Sequence, residues 1–345
     1  MGAHGGECCH SAGMAPSPGS VHPAATPDDS WLATDPAWAG VRQEVIDVDG
    51  RPVRVLRADA AGAGTGTGAQ PQLLVHGLGG SAANWIDVIA PLSRRGPVVA
   101  VDLPGFGHTR LVDSDRLTVP GHVSFVRRVV DALGWESATV HGNSMGGLIA
   151  THLAAKHPEV VDRLVLVSPA LPHSCALRLL PPSVPAVQGM LTMGLPSISG
   201  TMLAAATGRD ARPAARALLG LIFTDPDAVR PTLLQAMAAD ALSEDPEQLA
   251  DRRRSLRSST ASIARLWLEP APTWRAIRAI DAPTLVLGGT ADALVPARVL
   301  RHVLAARPDW TGRLITDRRH ALMLSEPHEF LDHVEQWLAE HARAA

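Results

Sequence analysis

The chain has few cysteines, and their spacing forms no pattern. It contains three in 345 residues, Cys8, Cys9 and Cys175. Two adjacent cysteines and a distant third do not make a disulfide framework. His10 follows the first pair, but neighbouring thiolates with a single imidazole give poor tetrahedral metal geometry. The sequence therefore predicts neither a disulfide scaffold nor a metal centre.

A targeting segment and long apolar runs are also missing. Residues 1–20 hold no apolar stretch of signal-peptide length. Gly6 breaks the myristoylation pattern that Gly2 would begin. No uninterrupted apolar stretch has the roughly 20 residues that a membrane-spanning helix needs. We therefore expect a cytoplasmic protein without a stable membrane span.

The chain has no large excess of charge of either sign, since its formal net charge is only -3 at pH 7. This balance gives no reason to expect nucleic acid or an anionic membrane as a partner. Lys156 is the only lysine, and arginine supplies the other basic side chains. Together with many Ala, Gly and Pro, this usage is typical of a GC-rich, bacterial genome. The abundance of arginine is therefore not an argument for any function.

Alternating strand and helix patterns indicate the fold class. Short apolar runs separated by helical patterns are typical of an α/β protein with a mostly parallel sheet covered on both faces. A hairpin around Asp49 and Gly50 precedes them. The predicted strands are 72–76, 97–101, 138–141, 163–167, 284–287 and 313–316, and the predicted helices are 122–134, 146–157 and 326–342.

Two regions depart from this alternation. Residues 1–35 are rich in Gly, Pro, Ser and Ala without periodicity, which predicts a disordered leader. Between 169 and 280 no strand is convincing, and the stretch is too long for a plain loop. We expect a helical cap there, inserted into a core made of 36–168 and 281–345. Residues 179–208 of this cap carry no charge, which favours core and pocket lining over the alternative of a lipid-facing lid.

A serine flanked by glycines follows the strand predicted at 138–141. On a strand-to-helix turn such a serine projects its hydroxyl clear of the sheet, and the next helix points its N-terminus at the reacting centre. A side chain at Gly142 or Gly146 would collide with a neighbouring strand or helix. Ser144 is therefore a candidate nucleophile, although a serine that merely caps a helix would show the same five residues.

A nucleophilic serine needs a base, and the base needs a third group that fixes its tautomer. His320 follows the last predicted strand, and Asp292 follows the strand predicted at 284–287. Both loops emerge at the carboxyl edge of the sheet, as does the turn with Ser144. Asp317 is nearer to His320 in sequence but is expected to point elsewhere. We therefore predict Asp292 as the acid and His320 as the base.

Backbone N–H groups are expected to stabilise the oxyanion of such a reaction. One donor is Met145, which follows the nucleophile, and the other is Leu78, in a glycine-rich loop after an early strand. Gly77 and Gly79 let this loop approach a substrate closely. We predict that these two glycines and Asn143 contact the substrate.

These motifs together resemble the α/β-hydrolase superfamily, in its serine-nucleophile, esterase- and lipase-like branch. They follow the order of that superfamily along the chain: HGLG at 76–79, DLPGFG at 102–107, GNSMGG at 142–147, GTAD at 289–292, and His320. The resemblance implies an eight-stranded sheet with helices on both faces, a helical cap after the sixth strand and no cofactor. The chain departs from many relatives at Arg319, where they have glycine. This arginine either tightens the histidine loop or places a guanidinium near the pocket.

The resemblance implies a serine hydrolase that cleaves a carboxylic ester, or a related acyl substrate, with an apolar acyl or aromatic group. The expected partner is a small molecule. A carbon–carbon bond hydrolase of aromatic degradation and a cofactor-free perhydrolase or acyltransferase remain as alternatives. Ser144 argues against haloalkane dehalogenases and epoxide hydrolases, which have aspartate at that position. The intact set of motifs argues against a binding module without activity.

Overall fold

The computed structural model describes residues 29–61, 70–173, 219–241 and 245–342. The predicted disorder of residues 1–35 differs from the structure at its end, because Ser30–Thr34 form a helical turn. Cys8, Cys9, His10, Cys175 and the uncharged stretch 179–208 lie outside the described residues. None of the helices within the described residues is long and apolar enough to cross a membrane.

The described residues form one eight-stranded sheet in the order β1-β2-β4-β3-β5-β6-β7-β8. β1 pairs antiparallel with β2, and β2 pairs antiparallel with β4, whereas the other neighbours are parallel. This confirms the predicted mostly parallel, eight-stranded sheet. The strands are β1 (Arg42–Asp47), β2 (Pro52–Ala58), β3 (Gln72–Val75), β4 (Val98–Val101), β5 (Ala138–Asn143), β6 (Val161–Val167), β7 (Thr284–Gly289) and β8 (Thr311–Ile315).

The hairpin between β1 and β2 turns at the predicted dipeptide. Asp49 and Gly50 both have positive φ angles, 56° and 77°. This is the backbone that a two-residue turn of type I′ requires, and it matches the twist of the flanking strands. The amide of Gly50 also donates to the Asp47 carboxylate at 2.9 Å.

Helices cover both faces of the sheet, as predicted. Alternate strand residues enter the two cores, because successive side chains of a strand point to opposite faces. Leu73 and Val75 of β3 pack on one side, and Leu74 packs on the other. The helices are α1 (Ile86–Leu92), α2 (Val119–Ala132), α3 (Met145–Lys156), α4 (Pro231–Ala241), α5 (Pro246–Leu268), α6 (Ala271–Ala279), α7 (Ala297–Ala306), α8 (Leu322–Ser325) and α9 (Pro327–Ala342).

The predicted cap, residues 169–280, lies between β6 and β7. Its described parts contain α4, α5 and α6 and no strand, in agreement with a helical insertion. Its borders stay a prediction. α5 docks on the core through buried hydroxyls: Ser255 donates to the Pro104 carbonyl at 2.9 Å, and Ser259 lies 3.0 Å from His122 Nε2.

Candidate active site

Ser144 occupies a strained turn between β5 and α3. Its backbone has φ 53° and ψ -114°, a conformation that residues other than glycine rarely adopt. The surrounding main chain fixes it, since its N–H donates to the Val167 carbonyl at 3.0 Å and its own carbonyl accepts the amide of Ala170 at 2.9 Å. The turn therefore holds one serine in a costly conformation at the carboxyl edge of the sheet.

The positions of Gly142 and Gly146, on either side of Ser144, have no room for a side chain. A Cβ at Gly146 would lie 2.1 Å from the Val75 carbonyl oxygen, and one at Gly142 would lie 2.4 Å from the carbonyl oxygen of Gly146. Both separations are far below van der Waals contact with main chain that cannot easily move. These collisions are the ones expected from the sequence.

Asp292 and His320 form a buried pair at the same edge. His320 Nδ1 lies 2.9 Å from Asp292 Oδ2. The other carboxylate oxygen accepts the amides of Leu294 at 2.8 Å and Val295 at 2.9 Å, which fixes the carboxylate plane. Since a carboxylate only accepts, the neutral imidazole of His320 has its proton on Nδ1 and its lone pair on Nε2. That lone pair is what a base needs to take a proton from a serine.

Asn143 connects the turn with the loop that carries the histidine. Its Nδ2 donates to the carbonyls of Val167 at 3.1 Å and His320 at 3.3 Å. The residue before Ser144 thus touches the main chain of His320, so the nucleophile turn and the loop with the histidine are in contact. Its amide nitrogen is thus bonded to the main chain, and the contact of Asn143 with a substrate stays a prediction.

Residues 76–81, which we call the oxyanion loop, lie against the serine. A Cβ on Gly77 would stand 3.2 Å from Ser144 Cβ. The amide of Gly80 closes a turn onto the Gly77 carbonyl at 3.1 Å, and Gly79 has the positive φ of 77° that this turn requires. Within the described residues, the N–H of Leu78 donates to no protein carbonyl, nor does that of Met145.

Two histidines near the site have supporting positions. His76 is buried, with Nδ1 2.7 Å from the Gly77 carbonyl and Nε2 accepting the Leu103 amide at 3.1 Å. It therefore braces the loops after β3 and β4. His141 is buried beneath the sheet edge, and burial lowers its pKa to about 3. A neutral, enclosed imidazole of this kind packs in the core and does not exchange protons with a substrate.

Asp102 holds the residue that follows the oxyanion loop. It accepts the amides of Ala82 at 2.7 Å and His108 at 2.8 Å, and Arg54 NH1 lies 3.3 Å from both of its oxygens. Asp102 and Arg54 are both completely buried. The described residues contain no group of three or more His, Cys, Asp or Glu side chains that could hold a metal ion.

Sequence reasoning missed one side chain at the site altogether. Arg252 of α5 donates to the Gly79 carbonyl of the oxyanion loop at 2.7 Å. In a chain where arginine is the ordinary cation, no signal separates this one from the others. Arg319 could be singled out, because it stands where a glycine was expected, and its guanidinium donates to the Gly220 carbonyl of the cap.

Comparisons with known proteins identify the family and the fold. The family model for the alpha/beta hydrolase fold matches residues 71–327. A dihydrolipoyllysine-residue acetyltransferase component of the acetoin cleaving system of Cupriavidus necator is 40% identical over 134 residues, covering 38% of this chain and 33% of that protein. The chain thus spans about a third of the length of that relative.

Other relatives match over more of their length. A 2-hydroxymuconate semialdehyde hydrolase of Pseudomonas sp. is 29% identical over 70% of this chain and 81% of its own. A pimeloyl-[acyl-carrier protein] methyl ester esterase of Vibrio atlanticus is 28% identical over 76% and 93%. The solved structure of a carboxylesterase from Bacillus subtilis superposes with a TM-score of 0.65 at 19% identity, covering 90% of this chain and 95% of that one. At that identity the superposition establishes the shared fold.

Proposed function

The chain belongs to the alpha/beta hydrolase fold family, and from that premise we propose that it is a serine hydrolase of carboxylic esters or related acyl substrates. The observation that carries the proposal is the buried pair of His320 and Asp292, 2.9 Å apart, whose loop is bonded to the residue before the strained Ser144. The proposed catalytic residues are Ser144, His320 and Asp292. Leu78 and Met145 are the proposed oxyanion donors.

In the first half of the proposed reaction, Ser144 Oγ attacks the carbonyl carbon of the ester while His320 Nε2 takes its proton. The negative charge on the carbonyl oxygen is held by the N–H groups of Leu78 and Met145. Asp292 stabilises the charged imidazolium and keeps its orientation. The tetrahedral intermediate then breaks the bond to the leaving oxygen, which takes the proton from His320 and departs as an alcohol.

The second half releases the acid. A water molecule gives a proton to His320 Nε2 and attacks the acyl carbon bonded to Ser144. The new tetrahedral intermediate returns its electron pair to Oγ, and His320 protonates that oxygen. Ser144 is restored and the carboxylic acid leaves, so the reaction consumes one ester and one water and makes one alcohol and one acid.

The substrate proposal is an ester with an apolar acyl or aromatic group. It is supported by the uncharged stretch 179–208 of the predicted cap and by the methyl ester esterase among the relatives. A second candidate is a carbon–carbon bond hydrolase of aromatic degradation. It is favoured by the similarity to 2-hydroxymuconate semialdehyde hydrolase over 81% of that protein.

Labelling with a fluorophosphonate probe tests the proposed nucleophile. The probe should modify wild-type protein at Ser144, and Ser144→Ala should lose the label and roughly 10⁴-fold or more of its turnover of p-nitrophenyl esters. Ser168→Ala is the matched control, because Ser168 also ends a strand at this edge with a positive φ. It should keep both label and turnover. Wild-type turnover in Ser144→Ala would refute the assignment.

A substrate panel separates the two candidate functions. Esters of increasing acyl length are assayed beside a ring-fission product of an aromatic compound. Preference for esters supports the first candidate, and faster cleavage of the ring-fission product supports the second. Comparing kcat/KM across acyl lengths then shows which chain length the acyl pocket prefers, since one methylene changes discrimination by about 1–3 kcal/mol.

A further inference from the structure

We infer that the cap positions the catalytic loops, and that Arg319 and Arg252 are positioning residues through which it does so. The cap is residues 169–280, and the histidine loop is residues 316–321. This inference rests on the proposed function, because it assigns these loops to catalysis. It differs from the usual role of a cap, which is to shape the pocket above the site.

The histidine loop is bonded to the cap on both sides of His320. The guanidinium of Arg319 donates to the Gly220 carbonyl. The amide of Ala321 donates to the Ile222 carbonyl at 3.3 Å. Both acceptors belong to the short segment 219–223, so the two neighbours of His320 are bonded to one piece of the cap.

These bonds lie beside an apolar cluster. Leu219 and Phe223 of the segment are buried in the same apolar cluster as Ala321 and Leu322. Arg319 itself is partly buried. A charged donor on a carbonyl in such surroundings contributes more than an exposed one. The segment thus restrains the main chain on either side of His320, while Asp292 holds its side chain.

The oxyanion loop has a corresponding bond to α5. Arg252 donates to the Gly79 carbonyl at 2.7 Å. A Cβ on Gly79 would lie 3.4 Å from Leu256, so the next turn of α5 also contacts this glycine. Gly79 is the neighbour of Leu78, whose N–H is the proposed oxyanion donor. Fixing the Gly79 carbonyl restrains the direction in which that N–H points.

The nucleophile turn is connected to α5 through one intermediate residue. Trp267 Nε1 donates to the Ala170 carbonyl at 2.9 Å, and the Ala170 amide donates to the Ser144 carbonyl at 2.9 Å. All three loops of the site therefore have a bond to the cap, because Ala170 lies within residues 169–280.

α5 is anchored well enough to carry these restraints. One guanidinium, that of Arg110, binds three carboxylates at the start of α5: Asp251 at 2.9 Å, Asp245 at 2.7 Å and Glu247 at 3.2 Å. Further along, Ser262 accepts the Val119 amide at 2.9 Å. Together with the buried hydroxyl contacts described above, these bonds tie α5 to the core along most of its length.

The test measures chemistry on a substrate too small to need the cap as a pocket wall. In Arg319→Ala, kcat for p-nitrophenyl acetate and the rate of fluorophosphonate labelling at Ser144 should both fall about 10-fold, the effect of one charged hydrogen bond. KM should change less than about 2-fold, and Arg319→Lys should recover part of the rate. Arg252→Ala should act in the same direction.

Two further measurements separate positioning from a loss of stability. Hydrogen exchange of the Ala321 amide should become faster in Arg319→Ala than in wild type, at an unchanged unfolding midpoint. Arg94→Ala removes an exposed arginine that pairs with Glu335 of α9, and it should leave rates and exchange as in wild type. If wild-type protein labels at Ser144 but Arg319→Ala reacts and exchanges as wild type does, the inference is wrong and the proposed function stands. If wild-type protein does not label at all, the proposed function fails.

Discussion

Asp292→Asn should leave the fold nearly unchanged and remove almost all activity. The asparagine carbonyl can still accept the amides of Leu294 and Val295, which now bond to Oδ1 at 2.8 and 2.9 Å. Its NH₂ group then faces His320 Nδ1, where Oδ2 now lies 2.9 Å away. Because that NH₂ can only donate, Nδ1 must become the acceptor and the proton must move to Nε2. The base then has no lone pair toward Ser144.

The size of this loss follows from the tautomer and from the missing charge. The imidazolium formed when Ser144 attacks loses its carboxylate partner in a nearly dry site, since Asp292 is 5% exposed and His320 is 6% exposed. Substitution of this kind in a Ser-His-Asp triad lowers kcat by about 10⁴-fold, or roughly 5 kcal/mol. The free energy of unfolding should change by less than about 1.5 kcal/mol, because both main-chain bonds remain.

Ester hydrolysis by wild-type and variant protein checks the rate, and urea unfolding checks the fold. Asp317→Asn is the matched control: it lies three residues before His320, has a φ of 59° that asparagine tolerates, and is the other acid near this histidine in sequence. It should keep at least half of the wild-type rate. If Asp317→Asn loses activity and Asp292→Asn does not, the acid has been assigned to the wrong residue.

Two other predictions concern stability. Burial lowers the pKa of His122 to about 3, of His141 to about 3 and of His152 to about 4. Below about pH 6.5 the unfolded chain therefore binds protons that the folded chain does not, and the free energy of unfolding decreases as the pH is lowered. Each histidine contributes up to about 1.4 kcal/mol of this decrease per pH unit. Urea unfolding midpoints at pH 7 and pH 5 measure the decrease, which should be smaller in His122→Gln. Equal midpoints at the two pH values in wild-type protein would contradict the prediction. Arg54→Met leaves the buried Asp102 carboxylate without its cation and should cost about 3–5 kcal/mol in urea unfolding, a loss that Arg94→Ala should not reproduce.

The centre of the sheet could be predicted from the sequence because strands such as β3, β4, β5 and β7 are buried on both faces. An apolar run as short as 284–287, bounded by proline and glycine, favours a buried strand over a helix. α1 gave no such signal, since it has seven residues with Pro91 inside, too few for a period to show. Elements that depend on tertiary packing for their stability are the ones that local pattern misses.

The candidate triad could be predicted from the sequence because of the topology of the sheet. Residues that follow parallel strands meet at one edge, so Ser144, Asp292 and His320 could be brought together without any knowledge of packing. The bond from Asn143 to the His320 carbonyl joins residues 177 apart in sequence. The bond from Arg252 to Gly79 joins residues 173 apart. Neither bond can be predicted from residue type or spacing, because each depends on how elements distant in sequence pack against each other.

The side chains with which α5 docks end on backbone carbonyls of the core and, at Ala170, of the start of the cap. Gln248 binds the Gly107 carbonyl, Arg252 that of Gly79, Ser255 that of Pro104, and Trp267 that of Ala170. A carbonyl is present whatever residue occupies the position, so these contacts do not require the core to keep its side chains there. The core loops and α5 can therefore diverge at different rates during evolution. In a saturation mutagenesis experiment, the polar positions of α5 should tolerate fewer replacements than Pro104 and Ala170, the non-glycine positions to which they bind.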